Sequence, residues 1–438
     1  MTHRTTTSLL PGIHVTDHTV DVPLDWRRSD DGRTISLFAR ELVDPVRRDE
    51  QLPVLVFLQG GPGGKGPRPV SRDGWIAEAL RTFRVVLLDQ RGTGRSTRID
   101  GRSIAAVGDA AAQAEYLERF RADSIVDDAE YLRRTVFGGR RWSTLGQSYG
   151  GFLTLTYLSR APEGLAACYV TGGLAGIRPS AAEVYRRTYP RTERKNRAFA
   201  ERYPQDVGTV ARIADRLAAD EVLLPDGDRL TVRRFQNLGI DFGMKPGYER
   251  LHWLLDEAFD SGDHLSDTFL AQVWGRTAYV DNPLFIALQE TIYGAAGTGA
   301  TAWAAQAERD ARPVFAETGR PLLFTGEMVY PWMFDEIRAL RPFRDAVDRL
   351  AAKTDWDPLY DPAVLQTSTV PLAAAVYFDD MYVDAQLQLE TVDAVGGATA
   401  WVTNEYEHDG IQDAAVVRRL FSMVDERGGR RADEEQQA

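Results

Sequence analysis

Cysteine and histidine are scarce in this sequence, and each shortage narrows the chemistry open to it. Cys168 is the one cysteine among 438 residues, so the chain can form no internal disulfide and offers no cysteine cluster to a metal ion. The six histidines lack ligand spacing, and the Gly92-x-Gly94 pattern is incomplete as a dinucleotide-binding motif. We therefore expect no metal site and no cofactor.

Long apolar runs and excess positive charge are also missing. No stretch approaches about 18 apolar residues, and the first ten residues lack the apolar centre of a signal peptide, which predicts a cytoplasmic protein without a membrane partner. Lys and Arg total 52 against 64 Asp and Glu, a net charge of −12. This acidic balance argues against binding to nucleic acid.

Short apolar runs alternate with helical stretches in two parts of the chain. Such a rhythm is typical of an α/β protein with a mostly parallel sheet covered by helices on both faces. Nearer the N-terminus, apolar and polar residues alternate in the segments 12–22 and 34–43. This alternation predicts an antiparallel pair of strands at the edge of the sheet, with His18 on its surface. The continuous runs lie at 52–58, 83–89, 165–170, 370–378 and 398–403.

Between 177 and 364 the rhythm stops. This segment is rich in Arg, Glu, Trp and Tyr and has helical stretches, so we interpret it as an inserted, mainly helical cap domain. The sheet domain would then be split into 1–176 and 365–438. In open α/β sheets, functional residues lie at the carboxyl ends of the strands, and that is where we look for the site.

The segment 146–150, with the letters GQSYG, fits a sharp turn between a strand and a helix. In such a nucleophile elbow the two glycines allow the strand and the helix to approach, and the strained corner exposes the hydroxyl of Ser148. The motif alone is weak. It gains weight only if the chain also supplies a base, an acid and an oxyanion hole.

In α/β-hydrolases the triad follows the chain order Ser, then Asp or Glu, then His. His408 is the one histidine that follows a late apolar strand after Ser148, so it is the predicted base. The acid should end the preceding strand, where Asp379 and Asp380 both qualify. Glu327 also follows an apolar run and is a rival acid.

An oxyanion hole needs two backbone N–H groups. One should come from Tyr149, directly after the nucleophile, and the other from the glycine-rich loop at 59–64, most simply from Gly61. The loop at 89–96 has no obvious chemistry. We expect Asp89 and Arg91 to tie neighbouring loops together.

Three motifs taken together resemble the proline iminopeptidase branch of the α/β-hydrolases: QGGPG at 59–63, DQRGTGRS at 89–96 and GQSYGG at 146–151. The resemblance implies a serine acyl-enzyme mechanism, without a metal ion, that releases N-terminal proline from short peptides. In the family, the triad Asp is followed four residues later by Pro. Asp380 fits this spacing better than Asp379, with Asp384 in the place of the proline.

The resemblance also implies that cap glutamates bind the free α-amino group of the substrate. Glu290, in ALQETIY at 287–293, is the first candidate, and Glu327 is the second. Both could instead be ordinary salt-bridge residues. Two departures from the family pattern, Gln59 for His and Tyr149 for Trp, bear on how strictly proline is preferred.

The function expected from the sequence is that of a serine aminopeptidase acting on short peptides with a free N-terminus. Two alternatives stay open. An esterase or other small-molecule hydrolase of the same fold would need no carboxylate aimed at an amine. A catalytically inactive binding protein of this fold would need no triad, and the complete set of Ser148, Asp380 and His408 argues against it.

Overall fold

The computed structural model describes residues 3–429. Within that range nine strands form one sheet, with the spatial order β1-β2-β3-β5-β4-β6-β7-β8-β9. The strands are β1 His3–Leu10, β2 Ile13–Pro23, β3 Thr34–Val43, β4 Val54–Leu58, β5 Arg84–Asp89, β6 Trp142–Gln147, β7 Leu165–Thr171, β8 Leu372–Tyr377 and β9 Ala398–Thr403.

The sheet is antiparallel at one end and parallel through the rest. β1, β2 and β3 pair in antiparallel fashion, and β3 joins the parallel strands through β5. From β5 to β9 every pairing is parallel. Strands β4, β7 and β8 are buried along their whole length, as their continuous apolar sequences predict. The predicted α/β fold is confirmed.

Helices cover both faces of the sheet. The helices are α1 Gly74–Ala79, α2 Gly101–Ala105, α3 Ala110–Glu118, α4 Ala122–Thr135, α5 Tyr149–Arg160, α6 Ala181–Arg202, α7 Pro204–Ala219, α8 Val232–Gln236, α9 Gly247–Asp256, α10 Asp267–Thr277, α11 Pro283–Leu288, α12 Ala304–Asp310, α13 Met333–Glu336, α14 Arg344–Ala352, α15 Pro362–Thr367, α16 Ala385–Ala394 and α17 Ala414–Asp425. None of these helices is long and apolar enough to cross a membrane.

Alternate residues of the central strands belong to two separate hydrophobic cores. In β4, Val56 packs into the core that contains α4 and α5, whereas Phe57 packs into the core that contains α1 and α17. Consecutive strand residues point to opposite faces, so a strand that is apolar throughout must be covered on both. The cap helices extend the first of these two cores.

The edge strand β1 was not predicted, and it changes the surroundings of His18. The residues of β1 are mostly polar and exposed, so they carry little periodic signal. Once paired with β2, β1 places His3 over His18, with 3.1 Å between ring nitrogens, and His18 Nε2 lies 2.8 Å from Glu41 Oε2. His18 is buried, and its interpretation as a surface residue was wrong.

The chain leaves the sheet after β7 and returns at β8, which is the direct neighbour of β7. Every strand lies outside 177–364, which supports the proposed division into a split sheet domain and a helical cap. The proposed boundary at 364/365 falls inside α15, however. The amide of Asp361 at the start of that helix donates to Ser159 Oγ of α5 at 3.0 Å, so we group α15 with the sheet.

Candidate active site

Ser148 occupies a strained corner between β6 and α5, with φ 56° and ψ −125°. A positive φ is costly for a residue with a side chain and persists only where the surroundings impose it. Here the surroundings are tight: a Cβ on Gly146 would lie 2.3 Å from the carbonyl oxygen of Gly150, and one on Gly150 would lie 1.9 Å from that of Leu58. Only glycine fits at either position, as the predicted elbow requires.

His408 and Asp380 form a buried pair. Nδ1 of His408 lies 2.7 Å from Oδ2 of Asp380, which has no exposed surface. The other carboxylate oxygen accepts the backbone N–H groups of Tyr382 at 2.8 Å and Val383 at 3.1 Å. Asp379, by contrast, is only partly buried. The structure therefore pairs His408 with Asp380, the residue that the family spacing favours.

The charge state of His408 reflects two opposing effects. Burial disfavours the imidazolium, but the negative charges of Asp380 and Glu327 outweigh that penalty and raise the pKa of His408. Because Nδ1 faces Asp380, Nε2 is the nitrogen left to act on a neighbouring hydroxyl. This is the arrangement that a general base needs.

Two adjacent glycines after β7 lie directly against the backbones of Ser148 and His408. A Cβ on Gly173 would lie 2.0 Å from the carbonyl oxygen of Ser148, and one on Gly172 would lie 3.2 Å from that of His408. Gly172 also has φ 56°. Sequence reasoning assigned these glycines no role, although a Gly-Gly pair directly after a buried strand is a signal of close backbone approach.

The glycine-rich loop lies against the nucleophile. A Cβ on Gly60 would be 2.7 Å from Cβ of Ser148, so the loop passes beside the serine at the position just before Gly61. The side-chain amide of Gln90 donates to the carbonyl of Gln59 at 2.7 Å and fixes the start of the loop. Tyr149 is the first residue of α5, where N–H groups have no partner within the helix.

The two departures from the family pattern have clear surroundings. Gln59 Nε2 donates to Oε1 of Gln147 at 3.2 Å, so this side chain is bound to the elbow strand. The ring of Tyr149 is buried and packs against Phe152, with 5.6 Å between ring centroids. Both side chains therefore contact residues of the elbow strand or of the helix that follows it.

Asp89 and Arg91 tie loops together, as predicted. Asp89 accepts the backbone N–H groups of Gly66 at 3.0 Å and Arg95 at 2.8 Å. Arg91 is buried and donates to both carboxylate oxygens of Asp128, at 2.7 and 2.6 Å. These contacts explain the DQRGTGRS motif as structural support for the strand ends.

Glu290 is buried, and its carboxylate is used by the chain itself. The carboxylate accepts the backbone N–H groups of Ala304 at 3.1 Å and Ala305 at 3.4 Å, at the start of α12. Burial raises the pKa of Glu290 to about 7, although these N–H groups oppose the shift. The helix start therefore occupies the oxygens that a substrate amine would need.

Glu327 has a different environment. Burial raises its pKa to about 7, His408 acts to lower it, and Asp380 acts to raise it further. The side chain of Gln289 hydrogen-bonds the carboxylate. Its charge also acts on surrounding tyrosines, among them Tyr185, Tyr279, Tyr293 and Tyr382. Of the two cap glutamates, Glu327 is the one whose charge acts on the pair Asp380–His408. Which of the two binds a substrate amine stays a prediction.

Comparison with known proteins agrees with this geometry. Residues 53–255 match the alpha/beta hydrolase fold family. The chain is 47% identical over 418 residues to a proline iminopeptidase of Aeromonas sobria, which covers 95% of this chain and 97% of that protein. It is 32% identical over 421 residues to proline iminopeptidase aneH of Aspergillus aculeatus, covering 93% of each.

Among solved structures, that of a proline iminopeptidase from Mycobacterium smegmatis covers 96% of this chain and 98% of its own, with a TM-score of 0.41 and 14% identity. The assignment depends on the two sequence relatives rather than on that superposition. Because both relatives match almost from end to end, the chain belongs to the proline iminopeptidase family of α/β-hydrolases.

Proposed function

We propose that this protein is a serine aminopeptidase that removes the N-terminal residue, preferably proline, from short peptides through an acyl-enzyme. The observation that carries the proposal is a partly buried cap carboxylate, Glu327, whose charge acts on the Asp380–His408 pair. A simple esterase has no use for that carboxylate. An aminopeptidase needs one to bind the substrate ammonium.

We assign the triad roles as follows. Ser148 Oγ attacks the carbonyl carbon of the N-terminal residue while Nε2 of His408 takes the hydroxyl proton. When the tetrahedral intermediate collapses, the C–N bond breaks and His408 gives the proton to the departing amine of the shortened peptide. Asp380, bonded to Nδ1 at 2.7 Å, keeps the ring in this orientation and stabilises the imidazolium. Water then repeats the attack with His408 as base and frees Ser148.

The negative oxygen of each tetrahedral intermediate needs two donors. We assign them to the backbone N–H groups of Tyr149 and Gly61. Tyr149 follows the nucleophile at the start of α5, and Gly61 follows the residue whose Cα lies against Ser148. Such preorganised donors contribute about 3–4 kcal/mol each to transition-state stabilisation.

Substrate recognition falls to the cap. Glu327 would accept the α-ammonium group, with Gln289 holding the carboxylate in place. Glu290 would act less directly, by bracing α12 with its carboxylate. A small cavity bordered by Phe152, Tyr293, Tyr382 and Val383 lies next to the Asp380–His408 pair and suits an apolar ring such as that of proline.

The test compares two anilides that differ only at the N-terminus: proline p-nitroanilide and its N-acetyl derivative. We expect kcat/KM for the free amine to exceed that for the acetylated form by at least about 100-fold, because the buried site rejects a substrate that leaves its carboxylate unpaired. Equal values would instead support an esterase-like hydrolase. A panel of other aminoacyl anilides measures the preference for proline.

A serine-directed fluorophosphonate addresses the remaining alternative. We expect it to label the wild-type protein and not the variant Ser148→Ala. Equal labelling of both, or of neither, would favour an inactive binding protein of this fold. The cytoplasmic location and the absence of nucleic-acid and membrane partners stay predictions from the sequence.

A further inference from the structure

Helix α6 of the cap carries three cations at intervals of four residues: Arg187, Arg191 and Lys195. Residues spaced in this way share one face of a helix. On α6 that face meets the sheet domain, because Asp384 and Glu407, which pair with these cations, lie on the loops after β8 and β9. Those are the loops that carry Asp380 and His408.

Arg191 joins the two ends of the loop that carries the triad acid. Its Nε and Nη2 lie 2.9 and 2.8 Å from Oδ2 of Asp384, and its Nη1 donates to the carbonyl of Phe378 at 2.6 Å. Phe378 precedes Asp380 by two residues, and Asp384 follows it by four. The Arg191 side chain is 14% exposed and that of Asp384 is 5% exposed, so water competes little with this contact.

The interior of the same loop fixes the triad carboxylate. The N–H groups of Tyr382 and Val383 both donate to Oδ1 of Asp380. The hydroxyl of Tyr382 donates in turn to the carbonyl of Ile240 in the cap. A shift of the loop ends would therefore carry the Asp380 carboxylate with it.

Lys195, one turn further along α6, holds the loop of the base. Its Nζ lies 2.5 Å from Oε1 of Glu407, the residue directly before His408. The backbone N–H of His408 also donates to the carbonyl of Gly243 in the cap, at 2.9 Å. The base loop is thus attached to the cap on both sides of the Glu407–His408 peptide bond.

We infer that Arg191 and Lys195 are positioning residues of the catalytic triad, holding the acid loop and the base loop from one helix of the cap so that Asp380 and His408 stay in hydrogen-bond contact. This inference rests on the proposed function. Asp384, which stands where the resemblance implies a proline, supplies the carboxylate that Arg191 binds. Asp384 also caps α16 through the N–H of Leu387.

The first test removes the contacts that Arg191 makes with both ends of the loop that carries Asp380. We expect Arg191→Gln to lower kcat on proline p-nitroanilide about 10- to 100-fold with KM within about twofold, because the reacting groups lose alignment while the amine site is intact. The matched control is Arg197→Gln on the same helix, whose partner Glu193 also lies on α6 and is not part of either loop. Equal kcat values for the two variants would overturn the inference.

Asp384→Asn separates the ion pair from the helix cap. Asparagine caps helices as well as aspartate does, so α16 should be unaffected while the charge that Arg191 grips is lost. We expect a smaller loss of kcat, about 3- to 10-fold, because the bond from Arg191 to the Phe378 carbonyl remains. Wild-type kcat in Asp384→Asn would contradict the role given to this pair.

The second test measures the pH dependence of kcat/KM in two other variants, so it remains informative even if Arg191→Gln fails to fold. Lys195→Met removes a positive charge beside the base loop, and Glu407→Gln removes a negative one. Other charges near these groups are unchanged. They are Asp380, Glu327 and Asp409 around His408, Asp379 and Tyr248 near Glu407, and Lys245, which binds Asp409 through its N–H and the Glu405 carbonyl through its ammonium.

In the pH profile of kcat/KM, we expect the pKa on the acid side to increase by about 0.3–0.5 unit in Lys195→Met, because a positive charge is lost. It should decrease by a similar amount in Glu407→Gln, and the double variant should lie near wild type. A purely structural pair would give losses without opposite shifts, and that result would overturn the inference. Rates of fluorophosphonate labelling report triad alignment independently of substrate. If the fluorophosphonate labels the wild type but the wild type cleaves no aminoacyl anilide, the proposed function is wrong, while the inference about loop positioning can still be tested by labelling rates.

Discussion

The sheet domain and the cap surround their site carboxylates, Asp380 and Glu327, with different numbers of hydrogen-bond partners. In the sheet domain, Asp380 has a partner for each oxygen: His408 for one and two backbone N–H groups for the other. In the cap, Glu327 is partly buried and has fewer hydrogen-bond partners, and its loss of hydration raises its pKa to about 7. A carboxylate that has lost hydration and has no cation beside it gains most from binding one.

This difference separates two tasks. In the proposed function, the sheet domain supplies the reacting groups at strand ends, where the backbone at Gly150 and Gly173 is packed too closely to admit a Cβ. The cap supplies a charge that a substrate ammonium would stabilise. We therefore expect that chemistry and recognition reside in different domains and can be disabled separately.

The largest effect is expected from a substitution that removes the chemistry of the sheet domain. Ser148→Ala should lower kcat/KM on proline p-nitroanilide by about 10⁴-fold or more, because the nucleophile is lost. Ser143→Ala is the matched control: Ser143 is buried in the same strand, β6, and its Oγ has no hydrogen-bond partner among residues 3–429. We expect Ser143→Ala to stay within about threefold of wild type. Substantial activity in Ser148→Ala would mean that the nucleophile is another residue.

A smaller effect disables recognition and leaves the chemistry in place. Glu327→Gln should lower kcat/KM on the free prolyl anilide about 100- to 1000-fold, since the ammonium loses its charged partner. The rate of fluorophosphonate labelling should change by less than about tenfold, because the triad is intact. Glu221→Gln, an exposed acid of the cap, is the control. Equal losses in turnover and labelling would place Glu327 in the catalytic machinery instead.

The second cap glutamate sharpens the same comparison. Because Glu290 holds the N–H groups of Ala304 and Ala305, Glu290→Gln should lower thermal stability and affect kcat/KM less than Glu327→Gln does. The two variants are to be compared by thermal unfolding and by turnover of the prolyl anilide. A greater loss of turnover in Glu290→Gln would restore the order that the sequence suggested.

The sheet domain could be predicted from the sequence in more detail than the cap, for a physical reason. Parallel strands covered on both faces are apolar throughout, so they can be recognised in the sequence. Because functional residues lie at the carboxyl ends of such strands, Ser148, Asp380 and His408 could be assigned to one edge of the sheet before any contact was known. The choice of Asp380 over Asp379 needed the family spacing as well. The exposed β1 was missed because its polar residues follow no hydrophobic period.

The cap offers no comparable rule. Whether the carboxylate of Glu290 or Glu327 faces the site depends on the start of α12, where Glu290 accepts two backbone N–H groups. That contact joins residues 14 and 15 positions apart, so it produces no periodic pattern in the sequence. The same holds for Arg191, whose partners Phe378 and Asp384 lie almost 200 positions along the chain, at separations of 187 and 193.

The pH dependence should reveal the cap carboxylate directly. In the wild type, the acid limb of kcat/KM requires neutral His408 and ionised Glu327, whose pKa is about 7. The negative charge of Glu327 helps to raise the pKa of His408, so its removal should lower that pKa. We therefore expect the acid limb of the residual activity in Glu327→Gln to move to lower pH, by about 0.5–1 unit. An unchanged or raised limb would contradict the proximity of the two groups.

The smallest expected effect is on stability, and it has the opposite sign to the loss of activity. The pKa of Glu327 rises from 4.5 to about 7 on folding, so its carboxyl group favours folding below pH 4.5, and this contribution is lost as the pH rises through 7. Glutamine carries no charge at any pH. The free energy of unfolding of Glu327→Gln relative to wild type should therefore increase between pH 4.5 and 8, by on the order of 1–2 kcal/mol. Urea unfolding at both pH values, with Glu221→Gln as control, measures this difference, and a constant offset would mean that burial of Glu327 carries no electrostatic cost.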